Sequence, residues 1–360
     1  MISIPSEYRK FFYKENLYFT ASASTALYLF LKARGIFRKK VIVPSNICYT
    51  VPYTILGSGN TPLFCDIDPE SGNPSRNGIE KLLETDENIG ALVLPHMFGN
   101  PVRERTGIRR LCREHEIAFI DDCAGALGLE DLDGGIAENA DAVIFSFNYN
   151  KHIALGMGGL LATDETIDIS ALSSSIKNDV SVYLYKSRMI DRLYKPLLYS
   201  DDYDLLVGKL HGFNDFFADS FIYRFTPDET YKREFNRCLG RISENREYRR
   251  SIVSQLDQKI LFDENGPLQR YRFEEGANPW RYNLLVKYPD IRKKLIDALL
   301  KAELPVSIWY PPVDPIYGYD MQKESLLFSK KILNFDFINA SKTEIDRFVD
   351  IVNSVAGEGT

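Results

Sequence analysis

The stretch "AVIFSFNYNKHIALGMGGLLAT", residues 142–163, joins two apolar runs through a short polar loop and a glycine-rich turn, with a single lysine, Lys151, between them. Runs such as "AVIFSF" and "GGLLAT", with no polar alternation, are expected of strands covered on both faces. The stretch therefore reads as strand, loop, strand, with Lys151 just beyond a strand end. Working outward, "VIVP" (41–44), "PLFCDID" (62–68), "ALVLP" (91–95) and "AFIDD" (118–122) repeat the same signature. Between them "RERTGIRRLCREHE" places Ile108, Leu111 and Cys112 at helical spacing, and "STALYLFLKA" reads as a helix with Ser24 as its N-cap. Strands alternating with helices from about residue 20 to 165 predict a wound α/β domain.

Beyond it the pattern changes. Residues 166–226 mix aromatic and charged residues without clean periodicity and read as short helices and irregular structure, an insertion-like segment. "TPDETYKREFNRCLGRISENREYRRSIVSQLDQKI" reads as one long helix, with Thr226 as cap and Pro227 in the first turn. The remainder runs strand ("RYNLLVKY"), helix ("DIRKKLIDALLKA"), strand ("PVSIWYPP") and a closing helix ("SKTEIDRFVDIVNSV"), an α+β pattern. A large domain over 1–235 and a smaller α+β domain over 236–360 are expected.

Composition narrows the classes of function. The five cysteines include no CxxC pair and the four histidines no i, i+4 pair, so thiolate zinc sites and disulfide frameworks have little material. A net charge of −6 gives no general attraction to nucleic acid. No apolar run approaches the ~18 residues of a membrane span, and the N-terminus lacks a secretory core, so the cytoplasm is the expected compartment. The glycine fingerprint GxGxxG of nicotinamide-binding α/β proteins does not follow the first strand.

Lys151 and Asp122 carry the chemistry. An amine beyond a strand end can condense with a carbonyl and, once released and desolvated, act as a base. A carboxylate at the carboxyl end of an apolar strand stands where open α/β sheets place ligand groups. The ordered set "ASASTALYLFLKA", "VIVPS", "PLFCDIDP", "LVLPHMFGNP", "AFIDDCAGALG", "DAVIFSFNYNKHIALGMGGLLAT", "ELPVSIWYPP" and "ILNFDF" resembles the DegT/DnrJ/EryC1/StrS family of sugar aminotransferases, whose cofactor is pyridoxal 5'-phosphate. The resemblance spans nearly the whole chain. It implies the fold of type I pyridoxal phosphate transferases, a mostly parallel seven-stranded sheet flanked by helices plus a smaller C-terminal α+β domain.

The resemblance also implies roles. Lys151 matches the Schiff-base lysine and Asp122 the partner of the pyridine nitrogen. Ser24, Thr25 and Ser146 match phosphate contacts, and His96, Trp309 and Tyr310 fall in regions that line the pocket. The implied function is transfer of an amino group, with glutamate as expected donor, to a keto sugar that is nucleotide-linked, in polysaccharide or glycoconjugate synthesis, by a cytoplasmic homodimer with shared active sites. Several positions depart from the family. Gly125 stands where glutamine is common; Cys48 stands where an aromatic ring stacks on the cofactor, with adjacent Tyr49 a substitute. Ile222 replaces the asparagine that reaches the neighbouring subunit's phosphate, leaving Arg224 and, from an earlier "GFN", Asn214 as cross-subunit candidates. A sugar dehydratase and a non-catalytic scaffold that keeps the cofactor are the alternatives; lysine rather than histidine at 151 favours transfer over dehydration.

Overall fold

In the computed structural model, which describes residues 4–12, 14–130, 139–194 and 210–357, the apolar runs pair into one sheet of seven strands. These are β1 (Asn16–Thr20), β2 (Lys40–Pro44), β3 (Thr61–Cys65), β4 (Ile89–Pro95), β5 (Ala118–Asp122), β6 (Ala142–Ser146) and β7 (Gly159–Thr163), in the order β1-β7-β6-β5-β4-β2-β3. Strands β2 to β6 pair in parallel, and β7 and β1 close one edge antiparallel. Helices α1 (Ala23–Ala33) and α2 (Thr50–Gly57) cover one face, while α3 (Arg76–Thr85) and α4 (Arg105–Glu114) cover the other. Successive strand residues face opposite sides. Thus Ile120 and Ile144 pack with Leu27 and Phe30 of α1, whereas Phe119, Val143 and Phe145 pack with Ile108, Leu111 and Cys112 of α4. Apolar cores on both faces are the physical reason these runs carry no alternation.

The inserted segment forms α5 (Ile169–Ser174), α6 (Val180–Tyr194) and α7 (Asn214–Phe217). Residues 195–209 of that segment lie outside the described residues. Then come α8 (Glu229–Leu239) and α9 (Ile242–Lys259), followed by a four-stranded antiparallel sheet ordered β10-β11-β9-β8. Its strands are β8 (Leu268–Arg270), β9 (Tyr282–Val286), β10 (Val306–Ser307) and β11 (Ile332–Phe335), with helices α10 (Pro289–Lys301), α11 (Lys323–Ser329) and α12 (Lys342–Gly357). Helices α10 and α12 pack on it through Leu295, Leu299, Phe348 and Val352, and Phe348 stacks on Phe335 at 4.2 Å.

The structure corrects five expectations of local structure. Strand β1 was not anticipated, because as an edge strand it is half-buried over four of its five residues and its sequence lacks the buried-strand signature. Helix α1 is capped by Ser22, which is extended and whose hydroxyl accepts the Thr25 N–H at 3.0 Å, not by Ser24. Asp228 rather than Thr226 caps α8, accepting the Tyr231 N–H at 2.7 Å. The single long helix is two, broken at Gly240 and Arg241. Only Val306 and Ser307 of "PVSIWYPP" are strand.

The chain after β10 returns to the large sheet, where Val313 N–H donates to the Ser45 carbonyl at 2.9 Å and the Asp66 carboxylate accepts the N–H groups of Glu324 and Ser325 at the start of α11. Asp314 is fully buried in this seam, accepting the Gln322 N–H at 2.8 Å. Burial pushes its carboxyl up to about 6, with nearby Asp66 adding to the rise. A carboxyl raised in the folded state binds its proton more tightly there than in the unfolded chain. Its protonation therefore contributes stability that is complete below the unfolded value near 4 and is lost as pH rises through about 6. At one pKa unit per 1.4 kcal/mol the effect is of the order of 3 kcal/mol. Asp314→Asn is expected to raise the melting temperature at pH 8 and to leave it nearly unchanged at pH 3, measured by calorimetry across that range.

Candidate active site

The parallel register sets the ends of β4, β5 and β6 side by side: Pro95 pairs with Asp122, and Asp122 with Ile144. The chain then delivers polar groups at this carboxyl edge. Asp122 is the last residue of β5, Ser146 the last of β6, and Lys151 follows in the loop. Cys48 lies between β2 and α2, and Ser24 in the first turn of α1, whose leading amides have no carbonyl of the helix to bond. Gly159 brings β7 against that turn. A Cβ there would stand 2.3 Å from the Ser22 carbonyl carbon, so only glycine fits.

Electrostatics links three of these groups. Burial pushes the Lys151 amine below its ordinary value, with Arg281 adding to the fall and Cys48 and Asp122 opposing it. Burial raises the Asp122 carboxyl, countered by the Ala124 N–H that it accepts at 2.8 Å and by the charge of Lys151. The Cys48 thiol is likewise raised by burial, and Lys151 and Asp122 both act on it. A part-buried amine shifted toward neutrality near a buried carboxylate is the arrangement expected of a reacting base and its partner. Cys48, Ala124, Gly125, Ser146 and Lys151 are part-exposed while their neighbours in chain are mostly buried, and a Cβ on Gly125 meets nothing within 4 Å. The edge is open there.

A strap from the C-terminal sheet closes the other side. Residues flanking the lysine are both tied to it: Trp280 Nε1–H donates to the Asn150 carbonyl, and His152 Nε2 bonds the Asn278 carbonyl at 3.1 Å. Trp280 N–H donates to the Phe98 carbonyl at 2.8 Å, and its ring lies parallel to Tyr310 with centroids 6.0 Å apart. Lys151 Nζ sits 4.8 Å from the centroid of the indole.

Residues 6–174 match the DegT/DnrJ/EryC1/StrS aminotransferase family. That match takes in just under half of this chain. The chain is 28% identical over 337 residues to the UDP-4-amino-4,6-dideoxy-N-acetyl-beta-L-altrosamine transaminase of Campylobacter jejuni, covering 90% of this chain and 77% of that one. It is 31% identical over 144 residues to the L-glutamine:2-deoxy-scyllo-inosose aminotransferase of Streptomyces fradiae; the match covers 40% of this chain and spans 33% of that relative's length. Among solved structures, a Helicobacter pylori aminotransferase involved in pseudoaminic acid biosynthesis superposes with a TM-score of 0.76 at 17% identity, covering 98% of this chain and 90% of that one. That likeness establishes the shared fold. No described helix is long and apolar enough to cross a membrane.

The expected site residues divide. Lys151, Asp122, Cys48, Gly125, Ser146 and Ser24 converge at the strand ends, and Tyr310, buried and acted on by Cys48, Arg281 and Asp122, joins them from the C-terminal side. Thr25 turns inward: its hydroxyl meets the Tyr223 carbonyl at 3.3 Å and Ser22 Oγ at 3.1 Å. Tyr49 does not replace a ring at Cys48. Its hydroxyl donates to Asp191 of α6 at 2.5 Å and its ring packs on Tyr194 at 4.4 Å, because the helical start of α2 aims adjacent side chains apart. Trp309, part-exposed, stacks on Tyr194 at 5.9 Å. Asn214 spends its amide on the Ile316 carbonyl of its own chain at 2.8 Å, and Ile222 is buried with Leu29 and Ile176, so neither reaches outward; Arg224 is exposed.

His96 is not a substrate contact. Its side chain is inaccessible, Nδ1 accepts the Val102 N–H at 3.3 Å, and Nε2 faces the Asp121 carboxylate at 3.3 Å. Asp121, also inaccessible, is gripped by Arg105 through Nε at 3.1 Å and Nη2 at 2.5 Å. Sequence reasoning missed Trp280, Asp191 and Tyr194: an aromatic before an apolar strand and a helix inside an irregular segment carry no local signal. His96→Leu is expected to leave the Val102 N–H unpaired and Asp121 short of a donor, at a cost of about 1–3 kcal/mol in urea unfolding, without changing the KM of a turned-over acceptor.

Proposed function

We propose that this chain is a pyridoxal phosphate-dependent aminotransferase that moves an amino group from an amino acid, with glutamate as donor, to a nucleotide-linked keto sugar in surface polysaccharide or glycoconjugate synthesis. The observation that carries it is the part-buried Lys151 amine, shifted toward neutrality, near the buried Asp122 carboxylate at the strand ends, each acting on the other's ionisation. The aminotransferase-family match over residues 6–174 and the transaminase named for the relative aligned over 90% of this chain support the reaction class.

The residues present fit the cofactor. Open space at Gly125 lies three residues past Asp122, and the α1 N-terminus with Ser24 and Ser146 offers amides and hydroxyls suited to a phosphate. Pyridoxal phosphate, when bound, supplies an aldehyde for the amino group and a ring that accepts electrons. Asp122 would hold a proton at the ring nitrogen by its negative charge. Lys151 Nζ would be the amine that meets the aldehyde and, when released, the base that moves a proton to and from the substrate carbon. Lowering its affinity for a proton by burial makes Nζ available as a base closer to neutral pH. The Trp280 and Tyr310 rings shield this side from water.

The same reading takes residues 1–235 as the cofactor domain and 236–360 as the smaller domain, and takes the working form as a homodimer with exposed Arg224 at the shared site. Retention of a lysine at 151 supports transfer over dehydration.

Adding pyridoxal phosphate to the purified protein is expected to give the absorbance band of lysine-bound cofactor, lost in Lys151→Ala, and glutamate to discharge it. Lys151→Ala should lose on the order of 10²- to 10⁴-fold in the glutamate half-reaction, the share of a positioned general base. The half-reaction rate should rise with pH through a midpoint below the 10.5 of an ordinary lysine, since only the neutral amine acts. A protein that binds the cofactor but shows no change with any amino donor would instead be the non-catalytic scaffold.

A further inference from the structure

A lysine that takes part in covalent exchange spends part of each cycle released, and the released ammonium must rest somewhere in a site with few counter-charges. Around Lys151 stand Cys48 from the β2–α2 connection, Asp122 from β5 and Arg281 at the start of β9. A resting ion pair with Asp122 would occupy the carboxylate needed elsewhere. Among the described residues Lys151 forms no ion pair; the contact given to its amine is the face of Trp280, with Nζ 4.8 Å from the ring centroid. The ring is held firmly for that purpose. The Trp280 backbone N–H donates to the Phe98 carbonyl and its backbone carbonyl accepts from Arg249 at 3.3 Å, while the ring's Nε1–H donates to the Asn150 carbonyl and Tyr310 stacks parallel to the ring. Arg281, bonded to Ser307 at 2.6 Å, lies 4.3 Å from the same centroid, so the indole meets a second cation as well.

We propose that the indole face of Trp280 is the resting berth of the released Lys151 amine, which makes Trp280 a positioning residue for the reaction: it receives the ammonium by cation–π attraction and keeps it off Asp122 until it is needed. The inference rests on Lys151 being the reacting amine, but the berth itself is testable without cofactor. Since the ring quadrupole favours the charged form, the tryptophan raises the amine's affinity for a proton above what the pocket would otherwise give.

The test is limiting acetylation of the full chain, purified without added cofactor, over pH 6–11, with Lys151 modification read by mass spectrometry. In Trp280→Leu the fraction of reactive amine at a fixed pH below the midpoint is expected to rise roughly two- to thirtyfold, and Trp280→Phe should restore part of the shift. Incorporation of mono-, di- and trifluorotryptophan keeps the shape and hydrogen bond while draining the ring's negative face; the Lys151 midpoint should fall stepwise, which decides the matter even where the leucine variant does not fold. An unchanged midpoint across the fluorinated series overturns the berth. A stepwise fall in a protein whose lysine never captures pyridoxal phosphate would overturn the proposed function and leave the berth standing.

Discussion

The site depends on which way two adjacent carboxylates face. At the end of β5, Asp121 and Asp122 point to opposite sides of the sheet, as successive strand residues must. Asp121 is taken out of water entirely, and a buried charge is tolerated only when paired and hydrogen-bonded. Arg105 of α4 provides a two-point grip and His96 a further contact, so the inward position has a matched socket that would be left empty if the strand slipped by one residue. That slip would send Asp121 to the site and leave Asp122 facing Arg105 in altered register with β4 and β6. The network thus orients the Asp122 carboxylate toward Lys151 without touching a ligand.

A second constraint is that the lysine loop is held from outside its own sheet. Between β6 and β7 the chain is anchored in the core by Phe147 and Ile153, while Tyr149 and Asn150 between them are exposed. Hydrogen bonds from Trp280 to residue 150 and between residues 152 and 278 hold the exposed tip between these anchors, and they tie the position of Nζ to the strap that precedes β9. Buried His152, whose ionisation burial pushes well toward the neutral form, fits this structural part: a neutral ring bonds the carbonyl without placing a second cation beside Lys151.

The inserted helix α6 acts on the opposite side. Asp191 and Tyr194 engage Tyr49, Tyr194 stacks on Trp309, and Tyr183 stacks on Tyr223 at 4.1 Å. An irregular-looking segment therefore forms an aromatic wall that joins α2, the chain near Tyr223 and the C-terminal Trp309. Cys48 is left small and part-exposed in front of that wall, with the rings of Tyr310 and Trp280 across from it.

Local sequence determined what depends on local chemistry. Unbroken apolar runs specified β2 to β7 because both of their faces are buried, and the lysine and aspartate at strand ends were legible because strand direction alone puts them at one edge. The register of caps was less legible: Ser22 and Ser24, or Thr226 and Asp228, differ by two residues and offer the same hydroxyl or carboxylate, so only the final backbone angles chose. Edge strand β1 was invisible because half-buried positions tolerate any residue. What tertiary structure alone decided is which polar groups are consumed. Thr25, Tyr49, His96 and Asn214 carry the right atoms for a site, yet each is spent on a partner remote in sequence, while Trp280, more than a hundred residues from the lysine, is brought against it by the packing of one sheet on the edge of another.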